Sequence, residues 1–173
     1  MRFANLIREV DLPDGRKIYS SGEPVIFSDL LMAVVNEGPK ITLFSLLIII
    51  ILVMINFRRS MTTLMIIGTL LTGIIWLVAC LAIFGIKLNF LNFVALPISF
   101  GIGVDYGVNM YQRYKFEGKG SMPRVLGTTG AAVALCSSTT IVGYSVIMTS
   151  SSRALQSFGL VAVIGEFCCL VAA

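Results

Sequence analysis

The sequence predicts an all-α polytopic membrane protein, a block of five transmembrane helices preceded by a short α+β segment outside the membrane. Three observations predict it. Hydrophobic residues make up 57% of the 173-residue chain and charged residues only 13%, an apolar share above the usual range for a globular domain. Polar residues gather in a head from Met1 to about Pro39, and from Lys40 onward the only acids are Asp105, Glu117 and Glu166. Five apolar stretches fill the remainder, each long enough to cross a hydrocarbon core about 30 Å thick. That distribution excludes a soluble enzyme, an acidic interaction tail and a nucleic-acid-binding domain, whose basic residues would have to line one face.

In the head, residues 1–39, GRKIYSSGEPVIF reads as a turn and a short strand. SDLLMAVVNEGP reads as a pre-membrane helix with Ser28 as N-cap and Gly38-Pro39 as the stop. A strand and a helix of this size bury too little apolar surface to fold alone, so the head is expected to be the end of a larger extramembrane domain. The N-terminus lacks the apolar run of a signal peptide, and both ends of the chain read as boundaries of a fragment. The transmembrane domain, residues 40–173, divides into spans at about 41–57, 61–84, 88–111, 125–148 and 154–173. Each has to be helical, because the bilayer core offers no water to satisfy the backbone.

Lys and Arg accumulate on the cytoplasmic side of membrane proteins. Arg58 and Arg59 follow the first span, and Arg113, Lys115, Lys119 and Arg124 follow the third, whereas the opposite loops hold Lys87 and Arg153. The asymmetry predicts that the polar head lies outside the cytoplasm.

There is no histidine, which removes imidazole-based nucleophile pairs, histidine-ligated metals and imidazole proton relays. Cys80, Cys136, Cys168 and Cys169 lie inside apolar runs without zinc spacing and read as small buried hydrophobes. Neither a metal nor a cofactor is expected, and proton chemistry falls to carboxylates or tyrosine.

The third span, NFLNFVALPISFGIGVDYGVNMYQRY, carries Asp105 about two turns from its basic end. An Asp at a helix centre costs about 2.5–3.5 kcal/mol on insertion scales, so it is expected to face the bundle interior or a water-filled cavity. Desolvation disfavours the charged form of a carboxylate, as binding and releasing protons near neutral pH requires. Tyr106 follows directly, and Asn109 shares the face of Asp105 and Gly101; either can hydrogen-bond the carboxyl. Gly101, Gly103 and Gly107 strip side chains from the helix, with Gly103-x-x-x-Gly107 suited to close helix approach. Pro97 removes a backbone hydrogen bond upstream, and together these residues suit a moving element.

The fourth span, GTTGAAVALCSSTTIVGYSVIMT, has Gly127, Gly130, Ala131 and Ala134 at close-packing spacing and is expected to lie against the third. The hydroxyls of Ser137, Ser138, Thr139 and Thr140 either serve Asp105 or bond their own i−4 carbonyls. Glu166, in LVAVIGEFCCL, reads either as a second proton site or as a packing residue.

The stretch NFVALPISFGIGVDYGVNMYQRY, the basic loop, and TTGAAVALCSSTTIVGYSVIMTSSSRALQSFGLVAVIGE resemble the RND superfamily of transporters and, within it, the MMPL-type lipid exporters, including the hopanoid-transporter-like branch. The resemblance covers the whole apolar region and implies one block of five helices, with wording closer to the C-terminal half, and a head ending a porter domain. It implies proton-motive-force-driven export of lipids or other hydrophobic molecules across a bacterial inner membrane. Asp105 takes the position of that family's relay aspartate and Tyr106 its paired tyrosine, with Ser138, Thr139 and Thr140 as supporting polar residues. The implied partners are protons, a hydrophobic substrate, membrane lipids and the other half of the transporter. Nucleic acid is not among them, and a homo-oligomer is compatible.

Three rivals remain on sequence grounds. An intramembrane aspartyl protease needs paired carboxylates sharing a water, and Gly101-x-Gly103-x-Asp105 has Val104 where such a motif has its Asp. A sterol-sensing-like lipid-binding module would not need Asp105 to titrate. A SecDF-like proton-driven translocation component shares the fold and would differ in its extramembrane domain.

Overall fold

The computed structural model describes residues 9–11, 17–19, 23–58, 60–86, 89 and 91–173. The turn expected at Gly15-Arg16, together with Arg59 and Lys87, lies outside the described residues. The chain divides into two compact units, Met1–Ile41 and Thr42–Ala173.

In the first unit, β1 (Glu9–Asp11) pairs antiparallel with β2 (Lys17–Tyr19), Val10 facing Ile18 and Asp11 facing Lys17. Helix α1 runs from Glu23 to Phe57, which corrects the expected organisation of the head twice. The strand does not extend through Phe27, because Glu23-Pro24 opens a helix, and a proline in a first turn forfeits only an N–H that had no intrahelical partner. Nor does Gly38-Pro39 stop the helix, and Ser28 lies within it rather than capping it. Two separate helices would leave a set of unpaired carbonyls and a set of unpaired N–H groups at the membrane boundary, whereas continuing through Pro39 forfeits one bond.

The second unit adds α2 (Ser60–Ile83), α3 (Asn92–Glu117), α4 (Met122–Ile147) and α5 (Arg153–Ala172). Among the described residues, five helices are long and apolar enough to cross a membrane, and the chain is a multi-pass membrane protein of all-α class. Helix α3 is displaced toward the C-terminus relative to the expected span, ending at Gly118, whose φ of 88° is a left-handed cap that a side chain would strain. Helix α4 is not uniform: Leu126–Gly130 forms a wide π-helical turn between α-helical Met122–Val125 and Ala131–Ile147.

Helix α5 sits at the centre, packed against α2, α3 and α4. Its buried residues include Gly159, Ala162, Gly165 and Cys169, small enough to admit three neighbours without a hydrophobic driving force between helices. A Cβ built on Gly159 would stand 2.8 Å from the Tyr144 carbonyl oxygen of α4, and one on Gly165 would stand 2.7 Å from Ser99 Oγ of α3. Leu77, Leu81, Ala95 and Val161 form one core cluster, and Val53, Ile66, Leu70, Phe100 and Val104 another. At the start of α3 a fully buried Asn92 donates from Nδ2 to Ser157 Oγ of α5 at 3.0 Å.

Candidate functional site

Helix α3 presents two different faces to its neighbours. Ser99, Gly103, Tyr106 and Gly107 are buried and stand at i, i+4, i+7 and i+8, which places them on one stripe. A Cβ on Gly103 would stand 2.8 Å from Cys169 Sγ of α5, and one on Gly107 would stand 2.9 Å from Thr69 Oγ1 of α2. The glycine pair thus admits α2 and α5 at close approach, as a Gly-x-x-x-Gly spacing permits. A Cβ on Gly101 would meet nothing within 4 Å, so that glycine serves no packing contact, while Gly130 makes only ordinary contact with Met110 and Leu126. Pro97 is accommodated inside the continuous helix.

Helix α4 packs mainly along α5 and meets α3 chiefly through its first turns. The fourth span thus lies against the third over its first turns only, because the small residues of α5 take the close approach further along. Between α3 and α4 a cavity of about 710 Å³ remains, lined from α3 by Asp105, Tyr106, Asn109 and Gln112 and from α4 by Cys136 and Thr140 among others. Arg113 also reaches it and is paired with Glu117 at 2.6 Å, one turn further along.

The two intramembrane acids occupy opposite situations. Asp105 is exposed on the cavity face and makes no hydrogen bond or ion pair among the described residues, so neither Tyr106 nor Asn109 bonds it as expected. Glu166, 1% exposed, is the enclosed acid. Tyr106, itself buried, donates its hydroxyl to Glu166 Oε1. Successive residues on a helix point about 100° apart, so Tyr106 turns inward to α5 where Asp105 turns outward to the cavity. The tyrosine also borders that cavity, so one side chain touches the open space and, through its hydroxyl, bonds the buried carboxyl.

The hydroxyl run of α4 divides in the same way. Ser138 Oγ donates to the Ala134 carbonyl at 2.7 Å, Thr139 Oγ1 to that of Cys136 at 2.7 Å and Thr140 Oγ1 to that of Cys136 at 3.1 Å. Ser138 and Thr139 are exposed and do not serve the acids; Thr140 alone of the three lines the cavity. Ser137, which sequence reasoning did not single out from the run, is the fully buried member, and its hydroxyl stands beside that of Tyr106. The buried pair Val133 and Ser137 is spaced one turn apart, but α4 is apolar all round and its hydropathy does not distinguish that face.

Comparison with known proteins is informative once this geometry is in hand. A model of the MMPL family matches residues 2–173. The chain is 26% identical over 172 residues to the protein MJ1562 of Methanocaldococcus jannaschii, covering 95% of this chain and 44% of that protein. It is also 26% identical over 153 residues to the hopanoid transporter HpnN of Burkholderia multivorans, covering 88% of this chain and 17% of the transporter. The chain thus spans less than half the length of either relative.

Proposed function

We propose that this chain, which belongs to the MMPL family, supplies the proton-relay helix block of a transporter that exports lipids or other hydrophobic molecules at the expense of the proton-motive force. One observation supports the relay: Tyr106, which lines the cavity holding Asp105, donates its hydroxyl to the enclosed Glu166. A hydroxyl in that position passes a proton by giving its own to one neighbour while accepting another. In this reading Asp105 takes a proton from the cavity, Tyr106 is the bridge, and Glu166 is the inner acceptor. Neutralising Asp105 removes the charge that keeps the space between α3 and α4 polar, so the two helices close on each other. Asn109 and Thr140 line the route, and Ser137 steadies the tyrosine.

The substrate class follows from the kinship to a hopanoid transporter and from the apolar outer faces of the helices. Both acids sit in a single five-helix block, and the remainder of a chain of the relatives' length would complete the pathway. Orientation follows the basic residues: Arg58, Arg113, Lys115, Lys119 and Arg124 face the cytoplasm across a bacterial inner membrane, with the N-terminal segment on the other side.

The test is proton-coupled export by the full-length protein in proteoliposomes. Asp105→Asn and Tyr106→Phe are expected to abolish pH-gradient-driven lipid movement while leaving the protein folded. Export that continues undiminished in Asp105→Asn overturns the relay; lipid binding without any proton dependence in the wild type favours a lipid-sensing module instead. Labelling of Lys119 from outside the cell would overturn the orientation.

A further inference from the structure

We infer that the cavity beside the C-terminal end of α1 binds the headgroup of an anionic phospholipid, with Arg58 and Thr63 holding the phosphate and the acyl chain lying over Met54, Leu64 and Ile67. These five residues line a cavity of about 400 Å³, separate from the one that holds Asp105.

The first observation is the backbone of Arg58. Its φ is 35°, which makes it the non-glycine residue of left-handed conformation among those described. It stands just past the end of α1, where its N–H donates to the Met54 carbonyl at 3.2 Å. Glycine is the usual occupant of that helix-ending position, since a side chain there costs roughly 1 kcal/mol. An arginine held in place of glycine points to a use for the guanidinium. That group is exposed and makes no ion pair among the described residues. Orientation by positive charge explains a basic residue near this membrane face, but not one placed where the backbone resists it.

The second observation is Thr63. It is 8% exposed, borders the cavity, and its hydroxyl makes no hydrogen bond among the described residues. A hydroxyl that borders a cavity without a protein partner is free to donate to an occupant. Thr62 beside it is satisfied, sharing a 2.6 Å hydrogen bond with the Tyr111 hydroxyl of α3. Thr63 also belongs to the first turn of α2, whose backbone N–H groups lack intrahelical acceptors and favour an anion.

Depth and charge select the occupant. The Thr62–Tyr111 bond and the edge-on contact of Phe57 with the Tyr111 ring, 5.8 Å between centroids, set the end of α1 and the start of α2 level with Tyr111, within the last two turns of α3, which also carry Arg113 and Lys115. That is the height at which lipid phosphates lie, on the face carrying the basic loops. The guanidinium and hydroxyl match a phosphate, and the three apolar residues match a chain running from it into the bilayer, which a free anion would leave unused.

The experiment uses the full-length protein in phosphatidylcholine nanodiscs with phosphatidylglycerol titrated in, and counts retained lipid by native mass spectrometry. Arg58→Gly removes the guanidinium and relaxes the backbone, so the variant should fold at least as well as the wild type yet bind phosphatidylglycerol about tenfold more weakly. Thr63→Val, of nearly equal shape, should weaken it several-fold, and Arg58→Lys should fall between. Phosphatidylcholine retention should not change in any of them. Undiminished phosphatidylglycerol binding by Arg58→Gly overturns the proposal, as does displacement of the lipid by inorganic phosphate, which would make this a free-anion site. Should Arg58→Gly fail to fold, undiminished binding by Thr63→Val overturns it alone.

Discussion

The Tyr106–Glu166 hydrogen bond should show itself as a coupling energy, measurable without any knowledge of the substrate. Tyr106→Phe removes one hydroxyl and leaves the ring packed with Val133 and Cys169. Glu166→Leu removes the acceptor with little change of volume. Neither single value is diagnostic, since replacing a buried acid by an apolar residue can by itself stabilise a protein. The cycle of both isolates the bond. Hydrogen bonds to charged groups contribute about 1.5–3 kcal/mol in proteins generally, while those between membrane helices average about 0.6 and reach about 1.7 kcal/mol. Glu166 is 1% exposed and its bond to Tyr106 is enclosed by three helices, so the coupling should approach the upper membrane figure, about 1.5 kcal/mol. The assay is the free energy of unfolding of the full-length protein in bicelles by steric trapping. Glu166→Gln keeps an oxygen that accepts from the tyrosine, and its cycle with Tyr106→Phe should retain a smaller coupling. If Tyr106→Phe and Glu166→Leu add to within about 0.5 kcal/mol, the bond contributes nothing and the relay loses its inner step.

Other substitutions discriminate between neighbouring positions. Gly103→Ala places a Cβ 2.8 Å from Cys169 Sγ, whereas Gly101→Ala meets nothing within 4 Å; the first should cost about 1–3 kcal/mol of stability and the second under about 0.5. Asn92→Ala breaks the 3.0 Å bond to Ser157 and should lower the thermal midpoint in detergent by an amount equivalent to about 1–2 kcal/mol; an unchanged midpoint would contradict the pinning of α3 to α5. Ser138→Ala should leave export unaltered because its hydroxyl bonds its own helix, and Ser137→Ala, beside Tyr106, should slow it several-fold in the proteoliposome assay; equal effects would show that burial does not separate the two serines.

The five spans are legible in the sequence because the bilayer imposes one demand on each, a run of about 20 apolar residues in helical form. The start of α1 is less legible. Gly38-Pro39 carries the local signature of a helix stop, and what outweighs it is the number of backbone groups that a stop would leave unpaired at that boundary. At the site, the depth of Asp105 marks the region, but the partner of Tyr106 lies 60 residues away on another helix. Spacing within α3 contains part of the answer: Gly103 and Gly107 share the face of Tyr106, so a close approach through the glycines takes the tyrosine inward and leaves Asp105 outward. Nothing comparable separates Ser137 from Ser138, since a helix apolar on every side gives no periodic cue to which hydroxyl faces protein.

The wide turn at Leu126–Gly130 governs how α4 tolerates changes in chain length. Such a turn holds one residue more than an α-helical one, and one residue corresponds to about 100° of rotation for everything beyond it. Deleting a single residue between Leu126 and Gly130 would tighten the turn to ordinary helix and leave Ser137 facing Tyr106. The same deletion between Ser138 and Gly143 would swing Tyr144 away from Phe158, against which it packs edge-on at 6.1 Å. Helix α4 can therefore lose a residue at its basic end without re-aiming the side chains at the site, and has no such allowance in its second half.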